Sequence, residues 1–417
     1  MLFYNFIYRI LAILARLINP VLSPSFRTWV KTRNELQTVL SSYTNTDQHR
    51  KRILFHASSG EIEYVKSLIR ELGDSKNYKI FVTYSSPSAE KLFTNIKDSV
   101  ELFIPLGWDT TSDNLTLLKT IKPDFVIFSR TDFWPNLIQQ INTLNIPFGA
   151  VSMYPRWNAL SQFWMKFNLS QAKFLTCVSE DMTEKLKYLM PMVPIIKHLN
   201  DTRFDQVKYR LSQAEKITLM SKNSIITFGS TWPKDEVILN IVLSEIIKMN
   251  FHIVWAPHDI KNAAQLSEKL RSLGYKTQFT SPSRNKVFDF EKENIQILIL
   301  DEIGLLADVY RHSSIAFIGG SFVSKVHSVM EPLCALNPVI VGPFYKNNPE
   351  AVQFQKLNSV FTVSSPEQFL KTFHELAQST QILKSHIAAN LKPFYGSTQQ
   401  HIALINSQLL SSNSKYG

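Results

Sequence analysis

From residue 50 onward, the chain alternates short apolar runs with longer amphipathic stretches. The runs are rich in β-branched and aromatic residues, which is typical of buried strands, while EYVKSLIREL and SDNLTLLKTI have helical spacing. The pattern pauses in a polar stretch and begins again after residue 220. We therefore predict an α/β fold with two doubly wound parallel sheets, one in each half. The predicted strands are 52–57, 79–84, 100–105, 124–129, 147–152 and 174–179, then 224–229, 251–256, 295–300, 314–319 and 338–342.

The same pattern sets the predicted domain boundaries. Residues 36–205 form an N-terminal Rossmann-like domain and residues 223–417 a C-terminal one, with the Lys/Ser-rich residues 206–222 as a linker that has no obvious strand. Ligands of such sheets bind beyond the carboxyl ends of the strands, so we expect two sheets that face a shared cleft.

Residues 1–35 do not follow this pattern and are predicted to form a membrane anchor. In the apolar stretch 2–22, Asn5, Arg9 and Arg16 fall on one helical face, with Asn19 close by. A narrow cationic stripe on an apolar helix is typical of a helix that lies at the membrane surface, with its arginines directed at anionic headgroups. The alternatives are a single membrane span, a signal peptide and a helix buried against the domain. The basic residues that follow, Arg27, Lys31 and Arg33, would add attraction to anionic lipid.

Charge and composition narrow the choice of partner. The net charge is +11, from 45 Lys+Arg against 34 Asp+Glu, which suits an anionic lipid surface or a phosphorylated ligand. No zinc finger, RNA-binding signature or dense basic helix is present, so we expect no nucleic-acid partner. Cys177 and Cys334 lie far apart in apolar stretches and are predicted to be free buried thiols, not metal ligands. Of only 12 glycines, six follow predicted strands or open the next helix and so point to the cleft: Gly60, Gly229, Gly304, Gly319, Gly320 and Gly342.

The motif HASSGE, residues 56–61, follows the first strand and opens a helix. Ser58 and Ser59 can cap that helix, and Gly60 lets the loop turn tightly. Glu61 then has two interpretations: a carboxylate that caps the helix, or a general base that takes a proton from an acceptor hydroxyl. His56 is either a second polar group or a packed core histidine.

The motif GSTWPKDE, residues 229–236, repeats the strand–turn–helix pattern in the second half. Ser230 and Thr231 at a helix start can bind phosphate, with Lys234 as a countercharge, or they cap the helix. After the strand 314–319, the amides of Gly319, Gly320 and Ser321 are expected to be bare.

Two further segments complete the candidate chemistry of the second half. His327 and Glu331 are four residues apart, so we expect them on one helical face, where the carboxylate can hold ribose hydroxyls. A metal pair is discounted because no third ligand is suitably spaced. Lys346 and Asn347 follow the strand 338–342, and neither a Walker A motif nor GxGxxG is present.

In combination and in order, these segments resemble the Kdo (3-deoxy-D-manno-octulosonic acid) transferases of lipopolysaccharide biosynthesis. The similarity covers almost the whole chain. The segments are HASSGE, TYSSPSAE (83–90), PLGWD (105–109), TDFWPNLI (131–138), DTRFD (201–205), GSTWPKDE, APHDI (256–260), DEIGLLADVYRHSSIAFIGGSF (301–322), HSVMEP (327–332) and GPFYKNNPEA (342–351).

The resemblance implies a GT-B glycosyltransferase at the cytoplasmic face of the inner membrane. It would bind CMP-Kdo in the second lobe and a lipid A precursor on the first, with no metal or other cofactor. By resemblance, Glu61 is the proton acceptor, Arg203 stabilises the transition state, and Asp132 keeps a carboxylate near the site. The stretches matched to CMP contacts are Pro257-His258, Ile303-Gly304-Leu305 and Ser328–Glu331.

The chain departs from the family pattern at several of these positions. HASSGE is one residue shorter before the glycine than the commonest pattern. In the family motif E-T-E-x-W-P-N, Arg130 and Asp132 replace the two glutamates. The usual GGHN is Lys325-Val326-His327-Ser328, and PRH is shortened to Pro257-His258. Two alternatives therefore stay open: a GT-B enzyme acting on a UDP-sugar, as a glycolipid transferase or an epimerase, and a catalytically impaired, membrane-bound relative that binds a sugar nucleotide.

Overall fold

The apolar runs predicted as strands are strands in the structure, a computed structural model that describes residues 2–18, 23–44, 49–213 and 215–413. Five additional strands of three residues each were not predicted, because a run this short carries no readable period. The strands are β1 Lys51–His56, β2 Tyr78–Tyr84, β3 Leu102–Pro105, β4 Phe125–Ser129, β5 Phe148–Met153, β6 Phe174–Cys177, β7 Ile196–His198, β8 Thr218–Met220, β9 Ser224–Thr231, β10 Phe251–Pro257, β11 Thr277–Phe279, β12 Val287–Asp289, β13 Ile297–Ile299, β14 Ile315–Ile318, β15 Val339–Val341 and β16 Val360–Thr362.

Helices fill most of the intervals between these strands. They are α1 Leu2–Ile18, α2 Pro24–Asn34, α3 Leu36–Ser42, α4 Lys66–Asp74, α5 Thr111–Ile121, α6 Pro135–Thr143, α7 Ala159–Leu169, α8 Glu180–Leu189, α9 Arg203–Ser212, α10 Pro233–Lys248, α11 Ala263–Ser272, α12 Leu306–His312, α13 Met330–Cys334, α14 Pro349–Lys356, α15 Pro366–Leu391 and α16 Ser397–Asn413. Short 3-10 helices cover Ser59–Tyr64, Pro87–Leu92, Thr94–Ser99, Ile260–Asn262 and Lys392–Phe394.

The chain divides into two units. The first comprises the described residues up to Gln206 together with those from Phe394 onward, and the second is Val207–Pro393. The first unit holds a seven-stranded sheet in the order β3-β2-β1-β4-β5-β6-β7, in which every neighbouring pair is parallel. Apolar side chains cover both faces of this sheet, as a parallel sheet requires.

The last helix belongs to the first unit, although the sequence placed residues 223–417 in the second domain. Leu404, Ile405 and Leu409 of α16 pack into the core that covers one face of the first sheet. The buried His401 ring hydrogen-bonds the hydroxyl of Thr176, at a distance of 2.8 Å. The sequence did not reveal this return, since a helix at the end of a chain does not show which sheet it packs on.

The predicted linker is largely structured. Helix α9 runs through the boundary between the units, and β8 pairs with β12 in a separate two-stranded sheet of the second unit. The main sheet of this unit has the order β11-β13-β10-β9-β14-β15-β16, again parallel throughout. In both sheets the first long strand, β1 or β9, has a parallel neighbour on each side, so loops from neighbouring strands meet at the carboxyl edge.

Helix α1 packs one side on the first unit while Arg9 and Arg16 are both exposed, so the stripe of arginines directed at lipid stays a prediction. The guanidinium of Arg16 lies 5.1 Å from the ring centre of Trp108, and the small side chains of Ala12 and Ala15 are buried. Arg9 is exposed, and Asn19 lies outside the described residues. The outward side is apolar and consists of Phe6, Ile7, Ile10, Leu11, Ile13, Leu14, Leu17 and Ile18.

Arg33 was predicted to attract anionic lipid, but it is a buried residue of the first unit. Its Nη1 donates to the carbonyl oxygen of Gly107 at 2.7 Å, and its guanidinium lies 4.3 Å from the ring centre of Trp29 and 4.6 Å from that of Trp134. Within the described part of the chain, no helix is long and apolar enough to span a bilayer.

Candidate active site

Glu61 lies just beyond the carboxyl end of β1, on a 3-10 helix and not on the α-helix that the motif predicted. Ser58 precedes this helix without making a side-chain cap. The sharp turn is taken by Ser59, whose φ is +43°, and not by Gly60. Glu61 is therefore not the carboxylate of a capping box, and this interpretation of the motif is wrong.

The Glu61 carboxyl group is half-buried, and its Oε2 atom has no hydrogen-bond partner among the described residues. The hydroxyl of Ser129, at the end of β4, donates to the backbone carbonyl of Glu61 at 2.8 Å and fixes the turn. Burial raises the pKa of Glu61 to about 8, and the charge of Asp132 adds to this rise, whereas Arg130 and the amide of Thr131 oppose it. A buried carboxyl oxygen without a partner can accept a proton from a bound hydroxyl.

Asp132 is held beside Glu61 by the buried His56. The Nε2 atom of His56 lies 2.8 Å from Oδ2 of Asp132, and its Nδ1 atom lies 2.9 Å from the hydroxyl of Thr83 on β2. Burial alone would raise the pKa of Asp132, but His56, together with Ser58 and Trp134, outweighs this effect, so the pKa lies below its ordinary value. Two neighbouring carboxyl groups thus have their pKa values moved in opposite directions, a common feature of catalytic acid–base pairs.

Two arginines contact the ring of Tyr64 in the same loop region. The guanidinium of Arg203 lies 4.0 Å from the ring centre and that of Arg130 lies 4.2 Å from it. Arg203 also binds the carboxylate of Asp201, with Nη2 2.7 Å from Oδ2. The structure therefore brings Glu61, Asp132 and Arg203 together at the carboxyl edge of the first sheet, with Arg130 beside them.

In the second unit, the buried Asp235 organises the loop that follows β14. Its carboxylate accepts hydrogen bonds from the amides of Gly320 at 2.7 Å, Phe322 at 3.0 Å and Trp232 at 2.8 Å. The amide of Gly319 donates to the carbonyl oxygen of Gly229. The expectation of bare amides at Gly319 and Gly320 is therefore wrong, because the fold itself uses both of these donors.

Two of the predicted hydroxyl ligands are likewise engaged. Thr231 accepts a hydrogen bond from the indole nitrogen of the buried Trp255 at 2.8 Å. Ser321 donates to the carbonyl oxygen of Ile318 and accepts from the amide of Gly342, both at 2.8 Å. Ser230 differs, since its φ of +55° is a strained value for a non-glycine residue and is typical of functional loops.

A stack of three rings stands at this edge of the second sheet. The rings of His258 and Trp232 are 4.9 Å apart and nearly parallel, and those of His258 and His327 are 4.4 Å apart. The indole nitrogen of Trp232 donates to Nε2 of His327 at 2.7 Å. Burial, with smaller contributions from His258 and Lys325, lowers the pKa of His327 to about 4, so this ring is neutral at physiological pH.

His327 and Glu331 do not share a helical face, because α13 begins only at Met330. Oε1 of Glu331 lies 2.6 Å from Nη1 of Arg210, which neutralises the carboxylate proposed for ribose. The side chain of Asn347 accepts a hydrogen bond from the amide of Val326. The other predicted positions differ in exposure: Pro257 and Leu305 are buried, Ser328 and Ile303 are exposed, and Gly304 has a φ of +96°.

The sequence did not single out three residues that shape these sites: Tyr64, Trp232 and Asp235. A tyrosine between two arginines has no sequence period, so Tyr64 carried no usable signal. Asp235 did carry one, because it is the third residue of a helix that begins with Pro233, a usual position for a carboxylate that binds backbone amides.

Comparisons with known proteins support the resemblance to the Kdo transferases. Residues 31–206 match the family model of the 3-deoxy-D-manno-octulosonic-acid transferases (kdotransferase). This segment of the first unit is similar to Kdo transferase domains. The similarity continues beyond it: the Kdo transferase of Aquifex aeolicus is 26% identical over 333 residues, which cover 79% of this chain and 86% of that protein. The Kdo transferase of Chlamydia trachomatis is 23% identical and is covered to 86%, as is this chain.

Solved structures show the GT-B type of fold, which confirms the prediction. The UDP-GlcNAc 2-epimerase of Neisseria meningitidis has a TM-score of 0.60 at 13% identity, covering 85% of this chain and all of that one. A glycosyltransferase of Rickettsia africae has a TM-score of 0.53 at 14% identity, covering 87% and 99%. The matched segment includes Glu61, Asp132 and Arg203, so the acid–base cluster and one arginine lie within it.

Proposed function

We propose that the protein transfers Kdo from CMP-Kdo to a lipid A precursor, with Glu61 as the proton acceptor. The observation that supports this most directly is the buried Oε2 atom of the half-buried Glu61, which has no hydrogen-bond partner among the described residues and lies in the segment that matches the Kdo transferase family model. Its pKa of about 8 gives it the basicity to accept a proton from a sugar hydroxyl as that hydroxyl attacks.

The transfer is a single displacement in this proposal. The acceptor hydroxyl loses its proton to Glu61 while its oxygen forms a bond to the anomeric carbon of Kdo. The bond from that carbon to the phosphate oxygen of CMP breaks, and CMP leaves with the electron pair. Asp132 stays ionised beside His56 and takes no covalent part, so the anomeric configuration inverts. Arg203 supplies positive charge to the developing anion.

The second unit binds the nucleotide in this proposal. Its contacts are reassigned from those first expected, because Thr231, Ser321 and the amides of Gly319 and Gly320 are occupied by the fold. Ser230 and the ring stack of Trp232, His258 and His327 remain as contacts. Flat, partly exposed rings offer a surface for stacking, and the neutral His327 can donate through Nδ1 because its Nε2 accepts from Trp232.

Because the proposed acceptor is a lipid, the proposed reaction takes place at a membrane. We propose that the first unit lies on the anionic cytoplasmic face of the inner membrane. Eight exposed apolar residues on the outward side of α1 support this, since so large an apolar surface is unusual in water. Around α7, Trp157, Leu160, Phe163 and Phe167 are also exposed. In this arrangement apolar contact dominates because Arg33 is buried within the first unit, and the exposed Arg9 and Arg16 add positive charge.

The test is mass spectrometry of the products that the purified protein makes from a lipid A precursor and CMP-Kdo generated in situ. Addition of Kdo is expected with the wild type and is abolished by Glu61→Ala, which still binds CMP. Glu63→Gln is the matched control, because it changes a carboxylate two residues away that pairs with Lys66 and should keep near-normal turnover.

Three results would contradict the proposal. Near-normal turnover of Glu61→Ala would remove Glu61 from its role. Thermal stabilisation by UDP but not by CMP would favour an enzyme that acts on UDP-sugars. Stabilisation by CMP without any product would instead favour a relative that binds the nucleotide but no longer transfers the sugar.

A further inference from the structure

Arg130 stands where the Kdo transferase pattern has a carboxylate, and its backbone is fixed in an uncommon conformation. It follows β4 directly, its φ is +58°, and its amide donates to the carbonyl oxygen of Val151 at 2.9 Å. A non-glycine residue in the left-handed region is costly and persists where the surroundings hold it. The side chain therefore leaves the end of β4 in a defined direction.

Two tyrosine rings hold the guanidinium of Arg130. Its central carbon lies 4.2 Å from the ring centre of Tyr64 and 5.9 Å from that of Tyr154. A cation–π contact positions the charge without supplying a hydrogen-bond acceptor, so it leaves the fork of N–H donors available. Across the described residues, the Arg130 side chain forms no ion pair within 4.0 Å and no hydrogen bond to a protein acceptor.

The nearby anionic groups do not neutralise this charge. Asp201 binds Arg203, and Asp132 is in contact with His56 at 2.8 Å. Glu61 keeps its proton until the pH approaches 8, so for much of the physiological range it offers Arg130 no full charge. A half-buried guanidinium that is positioned by rings but bound to no carboxylate suits an anion supplied by a ligand.

We propose that Arg130 binds an oxyanionic group of the substrate, a phosphate or a carboxylate, next to the hydroxyl that Glu61 deprotonates. This inference rests on the proposed function, and it assigns a role in substrate specificity to Arg130, one of the positions at which the chain departs from the family pattern. The arginine fork matches such a group through two parallel hydrogen bonds, which a lysine cannot reproduce. The anion is either a phosphate of the lipid acceptor or the carboxylate of the transferred sugar.

The experiment compares Arg130→Asn and Arg130→Lys with the wild type. Asparagine removes the charge but tolerates the left-handed backbone, so the variant should fold. Arg156→Ala, which removes an exposed arginine of the same unit, is the matched control for net charge. Steady-state kinetics are measured with a phosphorylated lipid A precursor and with the same lipid after phosphatase treatment. Expected is at least a tenfold rise in KM of Arg130→Asn for the phosphorylated acceptor, a smaller rise for Arg130→Lys, and little change for the treated lipid.

Other outcomes decide between the sources or reject the site. A rise in KM for CMP-Kdo that is equal with both acceptors would assign the oxyanion to the donor's carboxylate. Unchanged KM values, together with a pH profile of kcat moved to higher pH, would mean that Arg130 acts only on Glu61, and this would overturn the proposal.

A binding measurement separates this inference from the proposed function. Calorimetric titration of the two lipids into Glu61→Gln, with and without Arg130→Asn, needs no turnover. If the wild type makes no Kdo product but Arg130→Asn still weakens binding of the phosphorylated lipid tenfold, the result supports the oxyanion site and contradicts the proposed transfer reaction. If turnover is normal and lipid binding does not depend on Arg130, the result contradicts the oxyanion site but not the proposed transfer reaction.

Discussion

The hydroxyl of Tyr4 donates a hydrogen bond to Oδ2 of Asp109 at 2.8 Å, which ties the first turn of α1 to the loop after β3. The same carboxylate accepts the amides of Asn136 and Leu137 at the start of α6, each at 3.0 Å. That helix begins three residues after Asp132. The inward side of α1 is therefore part of the packing that supports the loop carrying Asp132, while its outward side is free to meet a membrane.

We expect Tyr4→Phe to destabilise the first unit by about 1–3 kcal/mol, since it removes a hydrogen bond to a buried carboxylate. Urea unfolding followed by tryptophan fluorescence measures this. Leu11→Ser, on the exposed side of the same helix, is the matched control: it should leave the urea midpoint unchanged and weaken binding to anionic vesicles. The reverse pattern, with vesicle binding lost in Tyr4→Phe and stability lost in Leu11→Ser, would show that the two sides of α1 are assigned wrongly.

The strands were predictable from the sequence because each core strand is a continuous apolar run, and parallel sheets bury both faces. The orientation of α1 was not, because periodicity shows that Asn5, Arg9 and Arg16 share a face but not which side of the helix the protein covers. The aromatic partner of Arg16 is Trp108, which lies 92 positions along the chain from it in a different motif. Only tertiary packing decides that contact.

The candidate site, like the fold, was only partly predictable from the sequence. Glu61 was identified through its motif, but the sequence left open whether it caps a helix or accepts a proton. The left-handed conformation of Ser59 and the position of Ser129 settle the turn, and neither is readable from residue types. In the second unit, hydroxyl and glycine residues suggested phosphate contacts, whereas Asp235 and Trp255 form hydrogen bonds with several of those groups within the fold.

The rate of transfer should rise with pH if Glu61 is the proton acceptor. Its pKa of about 8 means that the ionised form increases through the neutral range and becomes dominant only above that value. We expect the logarithm of kcat/KM to increase with a slope near one below pH 8 and to level off above it. The measurement is initial rates from pH 6 to 9.5 at saturating CMP-Kdo. A profile that is flat between pH 6 and 9 would argue against an ionisation of Glu61 in the transfer step.

Glu61→Gln should stabilise the protein, and the gain should depend on pH. The folded protein holds the Glu61 proton up to about pH 8, whereas the unfolded chain releases it near 4.5. Stability of the wild type therefore falls as the pH rises between these values, by an amount on the order of a few kcal/mol. Glutamine has no proton to lose. The difference in unfolding free energy between variant and wild type should be close to zero at pH 4.5 and largest above pH 8. A difference that is constant with pH would show that the Glu61 pKa is not raised by folding.

Because Trp232 belongs to the ring stack, we expect a change at this residue to weaken nucleotide binding by the second unit. Trp232→Phe keeps a ring for stacking but loses the indole N–H that holds Nε2 of His327. We expect CMP to bind roughly tenfold more weakly, equivalent to about 1.4 kcal/mol, because the ring orientation and tautomer of His327 are no longer fixed. Calorimetric titration of CMP measures this, with Glu61→Gln as the control that should bind CMP normally. Unchanged affinity in Trp232→Phe would place the nucleotide away from the stack.

Asp235→Asn tests whether the loop after β14 is held by a single carboxylate. The side chain accepts hydrogen bonds from three backbone amides, and Asn offers one oxygen while turning an NH₂ group toward a donor. The substitution should cost about 2–4 kcal/mol, since at least one buried amide loses its acceptor. Hydrogen exchange at the amides of Gly320 and Phe322 reports this directly and should accelerate more than exchange in the central strand β9. Glu236→Gln changes the adjacent, half-buried carboxyl group, for which the structure gives no hydrogen bond to this loop, and should leave those two amides protected.

The Asp235→Asn substitution should also affect nucleotide binding. Because Gly320 has a φ of +79° and lies against His327, loss of the Asp235 hydrogen bonds should weaken CMP binding together with loop protection. If the loop opened while CMP affinity stayed normal, the loop would be a structural element only, and the nucleotide contacts would have to come from Ser230 and His258 without it.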